Sequence, residues 1–146
     1  MSMSYWVIDG VGMNTDKIRP YLNPKKIVRF IVEKYPGLED LSKMVRKDDF
    51  SKFCLDEYLH GALFESLGDM LTFCDDTDCM TYAGDDDGGD YFYYPPSMPW
   101  HRWESDPQSL DDLHQRIVLA VQKVTDLSPD EILALVDDEL YVVGVS

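Results

Sequence analysis

The sequence predicts an α+β fold: a mostly antiparallel sheet with a central meander, and helices packed on one side of it. Three observations lead there. Apolar residues recur at three- and four-residue spacing in several stretches, short β-rich runs lie between turn-forming clusters, and the textures follow the order strand, helices, meander, helix, helix, strand. The 146 residues suffice for one domain, 1–146, and are too few for two ordinary ones.

Tyr5-Trp6-Val7-Ile8-Asp9-Gly10 is rich in β-formers and reads as the first strand, with Gly10-Val11-Gly12 a flexible bend after it. Asn14-Thr15-Asp16 caps a short helical turn that carries Ile18 and ends near Pro20. Asn23 is a good N-cap and Pro24 fits the first helical position, so a helix follows, with Ile27, Phe30, Ile31 and Lys34 along one face and Pro36-Gly37 as its stop. Leu38 to Lys47 is weakly helical. Phe50, Phe53, Cys54, Leu59, Ala62, Leu63 and Leu67 then follow the spacing of a buried helix face, which Gly61 weakens and Gly68 ends.

Beyond Gly68 the texture turns to strands, Met70–Cys74, Cys79–Ala83 and Asp90–Tyr94, joined by Asp75-Asp76-Thr77-Asp78 and by Gly84-Asp85-Asp86-Asp87-Gly88-Gly89. Pro95, Pro96 and Pro99 pin an irregular segment. The clearest helix spans 106–124, opened by Ser105 or Asp106 and Pro107 and carrying the stripe Leu110, Leu113, Ile117, Ala120, Val121 and Val124. Ser128-Pro129-Asp130-Glu131 is a capping box that opens a short helix through Ile132, Leu133 and Val136. Leu140 to Val145 returns to the sheet edge.

Charge is the strongest functional signal. Twenty-eight Asp and Glu against thirteen Lys and Arg leave a net charge of −15. The imbalance is uneven: residues 1–53 carry ten basic and seven acidic residues, and 54–146 carry three and twenty-one, so the two parts hold +3 and −18. Direct binding to nucleic acid, which needs cations against phosphates, is excluded as an expectation, and so is adhesion to anionic membranes. No apolar run approaches the ~20 residues that span a bilayer, and no secretory leader is evident. Cys54, Cys74 and Cys79, an odd number of cysteines, fit a reducing, cytoplasmic setting.

The loop Asp85-Asp86-Asp87-Gly88-Gly89-Asp90 resembles a cation site in composition alone. An EF-hand loop ends on Glu at position twelve, where this chain has Pro96. Cys74 and Cys79 flank a turn that would bring them close, yet His60, His101 and His114 stand in no ligand spacing, so neither metal nor cofactor is expected. Cys54 falls on the apolar face and reads as core, while Asp111-Asp112 and Asp137-Asp138 read as solvated helix positions. Gly10-Val11-Gly12 lacks the third glycine of a nucleotide-binding turn. No sequence around a serine or cysteine marks a nucleophile.

Six of eighteen aromatic residues fall between Tyr91 and Trp103. Strand alternation buries Phe92 and Tyr94 and turns Tyr91 and Tyr93 outward, while Trp100 and Trp103 serve either as plugs over the core or as anchors on a partner. The favoured reading is a non-enzymatic acidic module that engages a basic protein surface, including that of a nucleic-acid-binding protein, through Asp85, Asp86, Asp87, Asp90, Tyr91, Tyr93, Trp100 and Trp103. Inhibitors, immunity proteins and nucleic-acid mimics share its size and charge, and nothing more. The alternatives are a Ca²⁺- or Mg²⁺-dependent or hydrolytic enzyme built on loop 85–90, and an accessory protein that depends on its own oligomer.

Overall fold

The computed structural model describes residues 5–77, 79–96 and 107–145. Four strands, β1 (Tyr5–Asn14), β2 (Thr81–Gly84), β3 (Asp90–Tyr94) and β4 (Asp137–Val145), form an antiparallel sheet in the order β2-β3-β1-β4. Strand β1 pairs with both neighbours, over 5–12 with β4 and over 11–14 with β3, the two ladders overlapping at Gly12. The β3 ladder runs from Val11 opposite Tyr94 to Asn14 opposite Tyr91, and the β4 ladder starts with Tyr5 opposite Val145 and reaches Gly10 opposite Leu140. The ladder to β4 shifts register between Gly10 and Gly12.

The bend expected at Gly10-Val11-Gly12 is therefore a bulge inside a continuous strand. A Cβ at Gly10, whose φ is +153°, would run into the Tyr94 carbonyl, so glycine is what lets β1 and β3 approach here.

The helices α1 (Pro24–Lys34), α2 (Glu39–Lys47), α3 (Leu67–Cys74), α4 (Pro107–Gln122) and α5 (Pro129–Leu133) contribute to one large core. Ile27, Ile31, Leu41, Leu71, Ile117, Val121 and Ile132 meet Val11, Met13, Phe92 and Tyr94 of the sheet there. On the opposite sheet face the described residues that gather come from strands: Ile8, Tyr93 and Leu140 are buried, with Trp6, Ala83, Tyr91 and Val142 around them. The helices thus lie on one side of an antiparallel sheet, an α+β fold.

Several local signals act as expected. The Asn14 side chain accepts the Asp16 N–H at 2.8 Å and caps a 3-10 turn, Asn23 accepts from Lys25 N at 3.0 Å at the start of α1, and Ser128 and Glu131 form the reciprocal capping box of α5. Leu113, Ile117, Ala120 and Val121 of α4 are buried. Strand β4 starts at Asp137, so Asp137 and Asp138 lie in a strand and not on a helix.

Residues 48–74 depart from the expected order. The stretch from Phe50 to Leu67 is not one helix. Asp48 ends α2 in the left-handed region, a 3-10 turn covers Leu55–Tyr58, and His60 and Gly61 are both left-handed, with φ of 58° and 93°. Gly61 N donates to the Phe64 carbonyl at 3.0 Å and His60 N to that of Glu65 at 3.2 Å, closing a tight turn. Successive turns reproduce helical spacing, so Leu59 and Phe64 reach the core while Cys54, expected to be core, is exposed.

Met70–Cys74, expected as a strand, belongs to α3. Ser66 Oγ accepts the Asp69 N–H at 3.2 Å and Asp69 in turn accepts from Glu65 N at 2.8 Å, so the Ser-x-x-Asp pattern nucleates a helix where β-propensity suggested a strand. The meander is consequently reduced to the β2–β3 hairpin. Among the described residues no helix is long and apolar enough to cross a membrane.

Candidate functional site: an acidic groove beside the hairpin

The turn of the β2–β3 hairpin is Asp86-Asp87-Gly88, closed by Asp85 N donating to the Gly89 carbonyl at 2.9 Å, with Gly88 at φ 85°. Asp85 holds the turn from within. Its carboxylate accepts the N–H groups of Gly89 at 2.6 Å and Asp87 at 2.9 Å and the Tyr91 hydroxyl at 3.0 Å. The Gly89 N–H foremost, with the Tyr91 hydroxyl and Asp87 N–H helping, keeps the Asp85 carboxyl below its ordinary 3.8. Burial, then the neighbouring Asp85, pushes the Tyr91 hydroxyl above its usual value.

Asp90, at the start of β3, reaches the other way. It accepts the Gly68 N–H at 2.8 Å, Ser66 Oγ at 3.0 Å and Thr15 Oγ1 at 3.3 Å, tying the hairpin to the first turn of α3 and to the end of β1. Asp86 and Asp87 stay exposed at the tip.

These roles divide the expected site residues. Asp85, Asp86, Asp87 and Asp90 sit together, but Asp85 and Asp90 spend their oxygens on the chain itself. Tyr91 is half-buried. Tyr93, expected to face outward for a partner, does turn to the opposite face from Phe92, yet is only 8% exposed, because Ile8 and Leu140 cover that side of the sheet. Trp100 and Trp103, like Ser105 and Asp106, lie outside the described residues.

A groove of about 380 Å³ opens between the hairpin and the 56–67 segment. Among the described residues four carboxylates line it, Asp56, Glu65, Asp85 and Asp90, against the guanidinium of Arg19 and the imidazole of His60. Leu59, Leu67 and Tyr82 supply apolar wall. Tyr82 senses the field: burial first, then the charges of Asp69, Glu65 and Asp90, push its hydroxyl upward. Asp56, Glu65 and Tyr82 were not among the expected site residues. Nothing in their spacing marks them, since the left-handed pair His60-Gly61 is what folds 56 and 65 onto the hairpin.

The other acidic turn does not join this groove. Asp75 and Asp76 lie at the far end of β2 from the Asp85–Gly89 turn. Asp75 is 5% exposed and accepts from Met80 N at 2.8 Å, Cys79 N at 3.1 Å and the Thr77 N–H and hydroxyl, at 3.1 and 2.7 Å. Burial opposes its ionisation, but these bonds outweigh burial and hold its carboxyl below 3.8. Asp76 pairs with Lys123 at 2.8 Å. The segment is a helix-to-strand connection, and its cysteines are not a facing pair. Cys74 is buried in the core, where desolvation pushes its thiol up to about 12, and Cys79 is exposed, its Sγ 3.3 Å from the Thr77 carbonyl.

Elsewhere, His114 Nε2 of α4 lies 2.5 Å from Asp138 Oδ1 and links α4 to β4. Asp112 pairs with Arg116 at 2.8 Å. Among the described residues no three His, Cys, Asp or Glu side chains converge in a way that could hold a metal ion. No protein-family model, curated protein or solved structure matches the chain.

Proposed function

We propose that the chain is a non-enzymatic binding module whose acidic groove takes a Lys- or Arg-bearing segment of a basic protein, in the manner of an inhibitor, an immunity-type protein or a nucleic-acid mimic. The observation that carries this reading is the composition of the groove: Asp56, Glu65, Asp85 and Asp90 around one cavity, with the free carboxylates of Asp86 and Asp87 on the adjacent tip. Convergence distinguishes a recognition surface from a solubilising one, because carboxylates that face one cleft add their fields. Tyr82, 37% exposed, offers the guanidinium plane of an arginine an aromatic face. Nucleic acid and anionic lipid are poor occupants, since the same carboxylates repel phosphate.

Chemical-shift mapping tests the reading. An arginine-rich peptide added to the isotope-labelled chain is expected to shift amides of residues 59–67 and 82–90, and a glutamate-rich peptide to shift none of these. Shifts spread evenly over every acidic stretch, α4 and α5 included, would reduce the charge to a solubility device.

A further inference from the structure

Carboxylates outnumber basic groups by 28 to 13, so any cation left without a partner is conspicuous. Seven of the described lysines and arginines sit in ion pairs with Asp or Glu. Lys17 donates to the Leu135 carbonyl at 3.1 Å, and Lys34 lies 6.0 Å from the Phe30 ring centroid. The other three described cations, Lys43, Lys47 and Lys52, hold no ion pair or hydrogen bond, and all three line the same cavity, of about 420 Å³. That size falls within the range of small-molecule pockets, ~300–1,000 Å³.

Lys43 and Lys47 stand one turn apart on α2, and Lys52 faces them from the loop that follows. Met44, Phe53 and Tyr58 line the cavity as well, the two rings stacked with centroids 5.7 Å apart and planes at 20°. Three carboxylates share it, but not evenly. Asp49 is bound by the Ser51 hydroxyl at 2.8 Å and N–H at 3.1 Å, with Lys52 and Lys47 acting on it. Glu57 and Asp40 act on Tyr58. Two of the three ammonium groups, those of Lys47 and Lys52, thus act on Asp49, and Lys43 lies one turn before Lys47 on the same cavity wall.

We infer that this cleft binds a small phosphate monoester, its dianion among Lys43, Lys47 and Lys52 and a flat apolar body against Phe53 and Tyr58. A dianion matches three ammonium groups better than a single carboxylate does, and lysine serves phosphate as a mobile point charge. The site shares no residue with the acidic groove and does not depend on the function proposed for it.

Calorimetry on the full chain with four probes tests the inference. Phenyl phosphate is expected to bind saturably at one site and to weaken as salt rises, with benzoate and inorganic phosphate binding less tightly and benzylamine not at all. Replacing Lys43→Gln, Lys47→Gln and Lys52→Gln together at these exposed positions is expected to weaken phenyl phosphate by at least about tenfold, with the thermal midpoint unchanged, and Arg at all three positions to retain binding. Absence of saturable phenyl phosphate binding, equal affinity for benzylamine, or unchanged affinity in the triple Gln variant would overturn it.

Discussion

The Asp90 carboxylate at the start of β3 accepts the backbone N–H of Gly68, in the first turn of α3, at 2.8 Å. Only glycine fits there: a Cβ at residue 68 would come 2.7 Å from Asp90 Oδ1 and 2.8 Å from the Tyr91 carbonyl. One side chain thus fixes how α3 meets the hairpin, and with it the floor of the groove. An aspartate that composition assigns to a solvated loop is a strut.

This relationship separates the four loop aspartates by experiment. Asp90→Ala removes the acceptor of Gly68 N, Ser66 Oγ and Thr15 Oγ1 and is expected to cost about 2–3 kcal/mol, the scale of hydrogen bonds to a charged group. Asp86→Asn with Asp87→Asn, at the exposed tip, is expected to stay within about 0.5 kcal/mol of the parent chain. Urea denaturation of the two variants measures the difference, and equal midpoints would deny Asp90 its role.

Stability is expected to fall in acid, in part through Asp75. Its folded pKa lies below the ordinary 3.8, so its contribution is complete above that value and is lost as pH falls through the folded pKa, a window below about pH 4. Asp75→Asn places an amide before the N–H groups of Thr77, Cys79 and Met80. It is expected to lower the thermal midpoint at pH 7 and to flatten the decline below pH 4. A variant whose midpoint drops as steeply in acid as the parent's would show that other carboxylates carry the effect.

The three thiols are expected to differ in reactivity. Cys54 and Cys79 are exposed, whereas Cys74 is 1% exposed and burial pushes its pKa up to about 12, leaving almost no thiolate at neutral pH. Titration with a thiol-specific disulfide reagent should count two fast groups in the native chain and three after denaturation. Three fast groups in the native chain would place Cys74 outside the core.

The parts of the fold legible in the sequence are those set by local chemistry. The Asn23-Pro24 start of α1, the capping box of α5 and the apolar stripe of α4 each need only neighbouring residues, and each forms as expected. Residues 48–74 misled because two local signals compete there. The run from Phe50 to Leu67 keeps helical spacing while its backbone turns at His60-Gly61, and the β-rich Met70–Cys74 is overridden by the Ser66–Asp69 cap just before it. The Ser-x-x-Asp pattern was present to be read. The groove was legible only in part: the acidic loop was visible, but Asp56 and Glu65 join it through a turn whose left-handed His60 no pattern announces. The lysine cleft was hidden by arithmetic, because a net charge of −15 masks three unpaired ammonium groups.

The salt dependence of association decides most directly whether the acidic groove is a recognition surface. The association rate of a labelled arginine-rich peptide, followed by stopped flow, should be high at low ionic strength and fall steeply as the Debye length shortens to about 8 Å at physiological salt. In a variant carrying Asp56→Asn, Glu65→Gln, Asp86→Asn and Asp87→Asn, with the struts Asp85 and Asp90 intact, the rate should be lower and its dependence on salt shallower. A variant that associates as fast as the parent chain, with the same salt dependence, would contradict the assignment of recognition to this groove.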